Sequence, residues 1–318
     1  MKSHTFIGVD VSQHTLDIAQ ANHSGTLKID NTASAIRQWL KGLPGRCHIG
    51  VESTGDLHRL LVRCAITANH TVYVLNPRDL SHYARALGRR AKTDRLDAAL
   101  IARYLAKEHE NLHPYRLPTA VQSHLDELIS RRHSVVAHQV ALRQSFASMR
   151  NKPRSLAAAL RALQALIAQI DQDLSEPTTE DSQLRPIVQR LRTVVGFGPL
   201  LSASMAHALT RHPFAHADAF IAYIGYDPRV RDSGQKCGRR RLSKRGPAEL
   251  RRLLFTAALS ACKTALWRPF YQRYRDRGLP TTAALVILAR KLARIAFSIV
   301  KHGTSFNPQL IKNACVRP

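Results

Sequence analysis

The apolar positions of the chain change period as it is read from the N-terminus. In TFIGVDV, residues 5–11, they form a short continuous run, the pattern of a buried strand. TLDIAQAN and GTLKIDN follow as alternating segments joined through HSG, which predicts two short strands of a meander. TASAIRQWLKGL has helical spacing, and CHIGVE, residues 47–52, is a second hydrophobic strand. DLHRLLVRCAITA is the helix after it, with Asp56 as its expected cap. TVYVLN, residues 71–76, is a third strand, stopped by Pro77. Strands alternating with helices predict an α/β layer with a largely parallel sheet, extended by the antiparallel meander. After the basic stretch RALGRRAK, Leu96, Leu100, Ile101 and Leu105 return to helical spacing, and this first domain is expected to cover residues 1–110.

NLHPYRLPT reads as a linker, and a helical stretch spans 111–185. Val121, Leu125, Leu128, Ile129, Val136 and Val140 recur along its first half. NKPR interrupts, and then Leu156, Leu160, Leu163, Ile167, Ile170 and Leu174 fall three and four apart, a coiled-coil-like stripe. Two long antiparallel helices are expected. They serve either as an ordinary hairpin packed on their own domain or as an assembly surface. SEPTTEDSQ marks the next boundary, and residues 186–318 form a mostly helical last domain. There LRTVVGFGPLLSASMAHAL predicts a helix, a glycine turn at Gly196 and Gly198, and a second helix opening at Pro199. Such a turn can offer backbone N–H groups to a phosphate, although many helix turns look the same.

Charge narrows the function classes. Among 318 residues, 48 Lys and Arg face 22 Asp and Glu, a formal net charge of +26. That excess is costly in self-repulsion unless a polyanion shares the space, and nucleic acid is the obvious one. Arg290, Lys291 and Arg294 break the apolar stretch TTAALVILARKLARIAFSIV, so it reads as an amphipathic helix and no membrane partner is expected. MKSHTFIGVDVS runs straight into a strand without a signal-peptide pattern, and a cytoplasmic location is expected. The five cysteines are scattered with no CxxC pair, which argues against a zinc knuckle or disulfide framework. His212 and His216 flank Pro213, which argues against a helical histidine metal pair.

The acids carry the first candidate chemistry. Asp10 lies inside an apolar strand pattern, where a charge is expensive unless paired or bound to metal. Glu52 ends the second central strand, and strand C-termini of open parallel sheets face the usual site crevice. Asp94 and Asp97, three apart at the head of a helix, share a face. They can be neutralised by Arg90, Lys92 and Arg95, or they can join Asp10 and Glu52 around a divalent cation. Asp17 lies in the meander and is the weaker candidate.

A second constellation is YIGYDPRVRDSGQKCGRRRLSKRGPAELRRLLFTAAL. From Arg229 to Arg252 ten basic residues face only Asp232 and Glu249, a reasonable phosphate-binding surface. Ser243 sits among these cations. It either decorates the turn or acts as a nucleophile whose anionic oxygen the cations favour. Ser233 is its nearest competitor.

The acids' arrangement resembles the ribonuclease-H-like fold in its RuvC-like, Holliday-junction-resolvase branch. GVDVS, GVESTG, VLNP and RRAKTDRLDAALIARYL further resemble the N-terminal domain of the DEDD-type insertion-sequence transposases, recombinases guided by a structured bridge RNA. YIGYDPR, SGQ, RLSKRG and LRRLLFTAA resemble their C-terminal domain, and LRTVVGFGP its helix-hairpin-helix element. The family's Pro-Gly-x-Gly reads Val195-Gly196-Phe197-Gly198 here. The resemblance implies that Asp10, Glu52, Asp94 and Asp97 hold Mg²⁺, two ions per composite site, and that Ser243 is the recombinase nucleophile. It implies nucleic-acid contacts by Arg89, Arg90, Lys92, Gly196, Gly198, Arg239, Arg240, Arg241, Lys244 and Arg245. The implied partners are donor DNA, target DNA, a guide RNA and further copies of the chain, as a dimer assembling to a tetramer. The implied place is the bacterial cytoplasm, at the nucleoid when acting. A junction nuclease using the carboxylates and water, and a non-enzymatic nucleic-acid-binding protein, are the rival readings.

Overall fold

The structure, a computed structural model, describes residues 4–53, 55–88, 94–229 and 241–311, without the side chains of 94–96 and 176–180. Arg89, Arg90, Lys92, Ser233, Arg239 and Arg240 lie outside the described residues. The chain divides into two compact units, 1–117 and 118–318.

The first unit is built on a five-stranded sheet of β1 (Phe6–Val11), β2 (Thr15–Gln20), β3 (Thr26–Asp30), β4 (His48–Glu52) and β5 (Thr71–Leu75). Its order is β3-β2-β1-β4-β5. The meander β1-β2-β3 is antiparallel, and β4 and β5 add in parallel beside β1, as the alternating strand and helix patterns predict. Order and polarity are compatible with a ribonuclease-H-like DEDD domain. Helices α1 (Ala33–Lys41) and α2 (Arg59–Thr67) enclose one face, with Ile7, Val9, Leu16, Ile18, Ile49 and Val51 buried beneath them. Helices α3 (Pro77–Ala86) and α4 (Asp94–Glu108) cover the other, over Tyr73 and Leu75.

One local reading is extended and one is corrected. Pro77 ends β5 but also opens α3 as its first residue, and the Asn76 side chain accepts from Arg78 N–H at 2.9 Å. Proline's fixed φ suits a helix's first turn as well as a strand's end, and the sequence pattern shows only the stop. Asp56 does not cap α2. His58 holds the cap position without a side-chain bond, and Asp56 pairs with Arg59 at 3.0 Å on the exposed surface.

The second unit is helical. Its first helices, α5 (Ala120–Ser145) and α6 (Arg154–Glu180), lie antiparallel. Arg132 grips both carboxylate oxygens of Asp171, at 2.5 and 3.0 Å, and Gln139 Nε2 donates to Gln164 Oε1 at 3.1 Å. Those pairs fix the register of the hairpin. Leu156, Leu160 and Leu163 of the stripe are half-buried. Ile170 and Leu174 enter one core with residues of α7 (Leu184–Arg192), α8 (Pro199–Arg211), α9 (Ala217–Ile224), α10 (Ala248–Ala261) and α12 (Thr281–His302). Trp267, just before α11 (Arg268–Asp276), is fully buried there and donates its indole N–H to Val195 O at 3.0 Å. A short ladder, β6 (Pro228–Arg229) with β7 (Arg241–Leu242), precedes α10. Among the described residues no helix is long and apolar enough to cross a membrane.

Candidate active site

The acidic end of the first unit follows from strand register. Gly8 pairs with Gly50 in the parallel β1–β4 ladder, so Asp10 and Glu52, each two residues on, project from the same face. Neighbouring strands lie about 4.8 Å apart, so the two carboxylates begin from adjacent backbone positions. Both are half-buried. Asp17 is the direct cross-strand partner of Asp10 and shares that face. It is only 4% exposed and lies 3.5 Å from Lys28 Nζ, its partner on β3. The meander acid that the sequence pattern ranks low therefore sits beside Asp10, with its charge answered by Lys28.

Helix α4 crosses the same face. A Cβ on Gly8 would lie 2.2 Å from Ala98 O and 2.3 Å from Ala102 N, and Gly50 faces Ile101 and Leu105. Backbone meets backbone because residue 8 has no side chain. Beyond the C-terminal end of α4, the His109 ring packs 4.7 Å from Phe6, at the start of β1. The helix thus runs opposite to β1, and its N-terminal end, with Asp94 and Asp97, is directed toward the strand ends that carry Asp10 and Glu52. The side chain of Asp94 lies outside the described residues. Among the described residues no three His, Cys, Asp or Glu groups stand together as a metal cluster. The fit to a divalent cation is one of donor chemistry, all carboxylate oxygens, and of strand register.

The second candidate lies in the β6–β7 turn. Pro228 pairs with Leu242, so Asp227 and Ser243 are the next pair of the ladder, and Ser243 N–H donates to Asp227 O at 2.9 Å. Ser243 Oγ donates to Asp227 Oδ1 and accepts from Arg245 N–H at 3.4 Å. The residue is 6% exposed. Lys244 takes a left-handed φ of 52°, and Gly246 takes 101°. A Cβ on Gly246 would lie 1.8 Å from Tyr223 O, and one on Gly225 2.2 Å from Arg245 O, so the serine turn interlocks with the end of α9. Arg251 Nη1 donates to Ile224 O and Gly246 O, both at 2.9 Å. Arg252 holds both oxygens of Glu249, at 2.6 and 2.7 Å. Burial pushes the Glu249 carboxyl up, but the Arg252 bonds and charge, with His133 at 2.8 Å, bring it below the usual carboxylate range. Arg251 therefore braces the turn and Arg252 is paired with Glu249 on α10, while Arg241, Lys244 and Arg245 are exposed.

Gly196 has φ 105°, and its absent Cβ would meet Ala261 Cβ at 2.9 Å, so it seats the α7–α8 turn on α10. Gly198 is exposed and is the residue before α8, which opens at Pro199 as expected. Asp227 has no role in the sequence reading. YIGYDPR shows only an acid before a proline, a common turn pattern, and its partner lies 16 residues on.

Comparison with known proteins makes this an enzyme acting on DNA. Residues 7–152 match the DEDD transposase model of the IS110 type, and residues 188–272 match the transposase IS116/IS110/IS902 family. The chain belongs to the IS110/IS116 transposase family. It is 25% identical to the pilin gene-inverting protein of Moraxella bovis, over 97% of this chain and 99% of that protein. It is 26% identical to the transposase for insertion sequence element IS1328 of Yersinia enterocolitica, over 96% of this chain and all of the other. A probable family 20 transposase of Pseudomonas aeruginosa is 29% identical over 49% of this chain and 46% of its own length. Membership of a DEDD-type family points to use of a divalent metal.

Proposed function

We propose that the protein is an RNA-guided DNA recombinase of an insertion sequence, in which Ser243 attacks a DNA phosphodiester at a composite site completed by the carboxylates. The observation that carries the reading is the Ser243 turn. A serine hydroxyl is fixed against a carboxylate, within a turn whose exposed flank carries Arg241, Lys244 and Arg245. Those cations suit a phosphate and the charge that develops on it during attack. Asp10, Glu52, Asp94 and Asp97 would hold two Mg²⁺ ions, which supply positive charge for the scissile phosphate when bound. Attack by Oγ forms a phosphoserine bond as the bond from phosphorus to a sugar oxygen breaks. The link conserves bond energy, so a sugar hydroxyl can rejoin the strand without an outside energy source. The α5–α6 hairpin packs into its own unit's core, and its outer positions are left as a candidate assembly surface for a dimer that pairs into a tetramer, in which the serine of one copy would serve the carboxylates of another. The α7–α8 turn at Gly196 and Gly198, read as a helix-hairpin-helix element, and the net charge of +26 are what support binding of DNA and of a structured guide RNA.

A denaturing gel on labelled donor and target DNA, with Mg²⁺ and guide RNA, tests the chemistry. Wild-type protein is expected to remain covalently attached to DNA through Ser243. Ser243→Ala should lose both the adduct and strand exchange while still binding nucleic acid. Asp10→Asn should stop cleavage as well. The burial of Ser243 favours a second reading, a junction nuclease that uses water and keeps this serine as a structural pin. That enzyme forms no adduct and cuts at the wild-type rate as Ser243→Ala, and this result would remove Ser243 from the mechanism.

A further inference from the structure

We propose that Asp227 is the general base of strand cleavage, taking the hydroxyl proton of Ser243 as its oxygen attacks phosphorus. The inference rests on the reading of Ser243 as nucleophile and adds the group that activates it. An alkyl hydroxyl is a weak nucleophile while it keeps its proton, and a basic surface does not remove one. Of the groups bonded to Ser243 Oγ, Asp227 Oδ1 is the acceptor and the Arg245 N–H is a donor. An ionised carboxylate can only accept, so the serine proton already points along the path of its transfer. The Arg245 N–H approaches the oxygen on which negative charge gathers.

The backbone holds this pair in place. The β6–β7 ladder sets Asp227 opposite Ser243, and the Ser243 N–H bond to Asp227 O closes it. Lys244 N–H donates to Gly225 O at 3.1 Å, and the Gly225–Gly246 interlock and the two Arg251 bonds clamp the far side of the turn. A base and nucleophile already in contact need little reordering before reaction.

The step balances. The Oγ–phosphorus bond forms, the phosphorus–sugar oxygen bond breaks, the serine proton moves to Asp227, and the leaving sugar oxygen takes one proton from water. In rejoining, a sugar hydroxyl attacks the phosphoserine and gives its proton to water, while protonated Asp227 returns a proton to the departing Oγ.

The test measures the rate of adduct formation by the full-length protein, with guide RNA, DNA and Mg²⁺, from mildly acid to alkaline pH. Asp227→Asn is expected to slow the adduct by roughly 10²–10⁴-fold near neutrality. The deficit should narrow as pH rises, because hydroxide replaces the missing base, and Asp227→Glu should recover much of the rate. A deficit that stays constant with pH, or an Asn variant as fast as wild type, would overturn the proposal and leave Asp227 as a structural pin. Thermal melting and DNA binding check the fold. If Asp227→Asn does not fold, Asp227→Glu and Asp227→Gln are compared instead, and equal rates for that pair would overturn it. Failure of the underlying reading is recognised separately, without touching Asp227: wild type then forms no adduct, or Ser243→Ala cuts normally.

Discussion

His212 follows α8 with its ring 4.9 Å from that of Tyr223. Burial lowers its pKa from 6.5 to about 4, and the neighbouring Arg211 guanidinium and His207 ring add to the effect against Asp126. Between those two values the unfolded chain binds a proton here that the folded chain refuses, so stability falls as pH drops through the window. His212→Phe is expected to flatten the loss of melting temperature between pH 6.5 and about pH 4, with little change above it. A melting curve at several pH values decides it, and an unchanged acid slope would show that other groups dominate. Ser243 and Asp227 show the same dependence of chemistry on surroundings. Neither residue type is unusual, and a two-residue ladder sets them in hydrogen-bond contact, which the proposed mechanism uses as nucleophile and base.

Helix α4 and strand β1 meet at Gly8, and that contact sets the helix that carries Asp94 and Asp97 over the strand that carries Asp10. Gly8→Ala would force the methyl group into Ala98 O and Ala102 N, both backbone atoms with no side-chain freedom to yield. A destabilisation of about 1–3 kcal/mol is expected from the overpacking. Loss of cleavage should exceed what the unfolded fraction explains, because the added methyl group displaces α4 from the sheet even in folded molecules. Denaturant melts beside the adduct gel measure both, and an alanine variant with wild-type stability would show that the contact is loose. Much of this element is legible in the sequence. Asp10 stands out because a charge among Phe6, Ile7, Val9 and Val11 is costly, and Glu52 because it ends a strand. Asp17 is not legible, because alternation within a meander does not reveal that its partner is Asp10. Asp227 is hidden for a related reason: its contact with Ser243 depends on two paired dipeptides too short to leave a period. Helix α3 is missed because Pro77 both stops a strand and starts a helix.

Across the whole molecule, a net charge of +26 predicts strongly salt-dependent binding to any nucleic acid. If six to ten phosphates are neutralised, affinity should fall roughly 10³–10⁵-fold between about 50 and 200 mM salt. Under the proposed guidance, the cognate RNA must keep an advantage that salt does not erase, because shape and base contacts add to the phosphate term. The expected outcome is tighter binding of the element's own structured RNA than of unrelated RNA of equal length at every matched salt. Equal curves in a filter-binding titration would count against guidance. The two units place their candidate chemistry on supports of different kinds, a layered sheet and a pinned turn. The support at Gly8 has a consequence for heat. Backbone pressed on backbone has no rotamers to exchange as temperature rises, unlike a contact between long side chains. On warming, Asp10 and Asp97 are expected to keep their spacing until α4 leaves the sheet as one body, so in the proposed mechanism cutting should end at a threshold instead of fading by degrees.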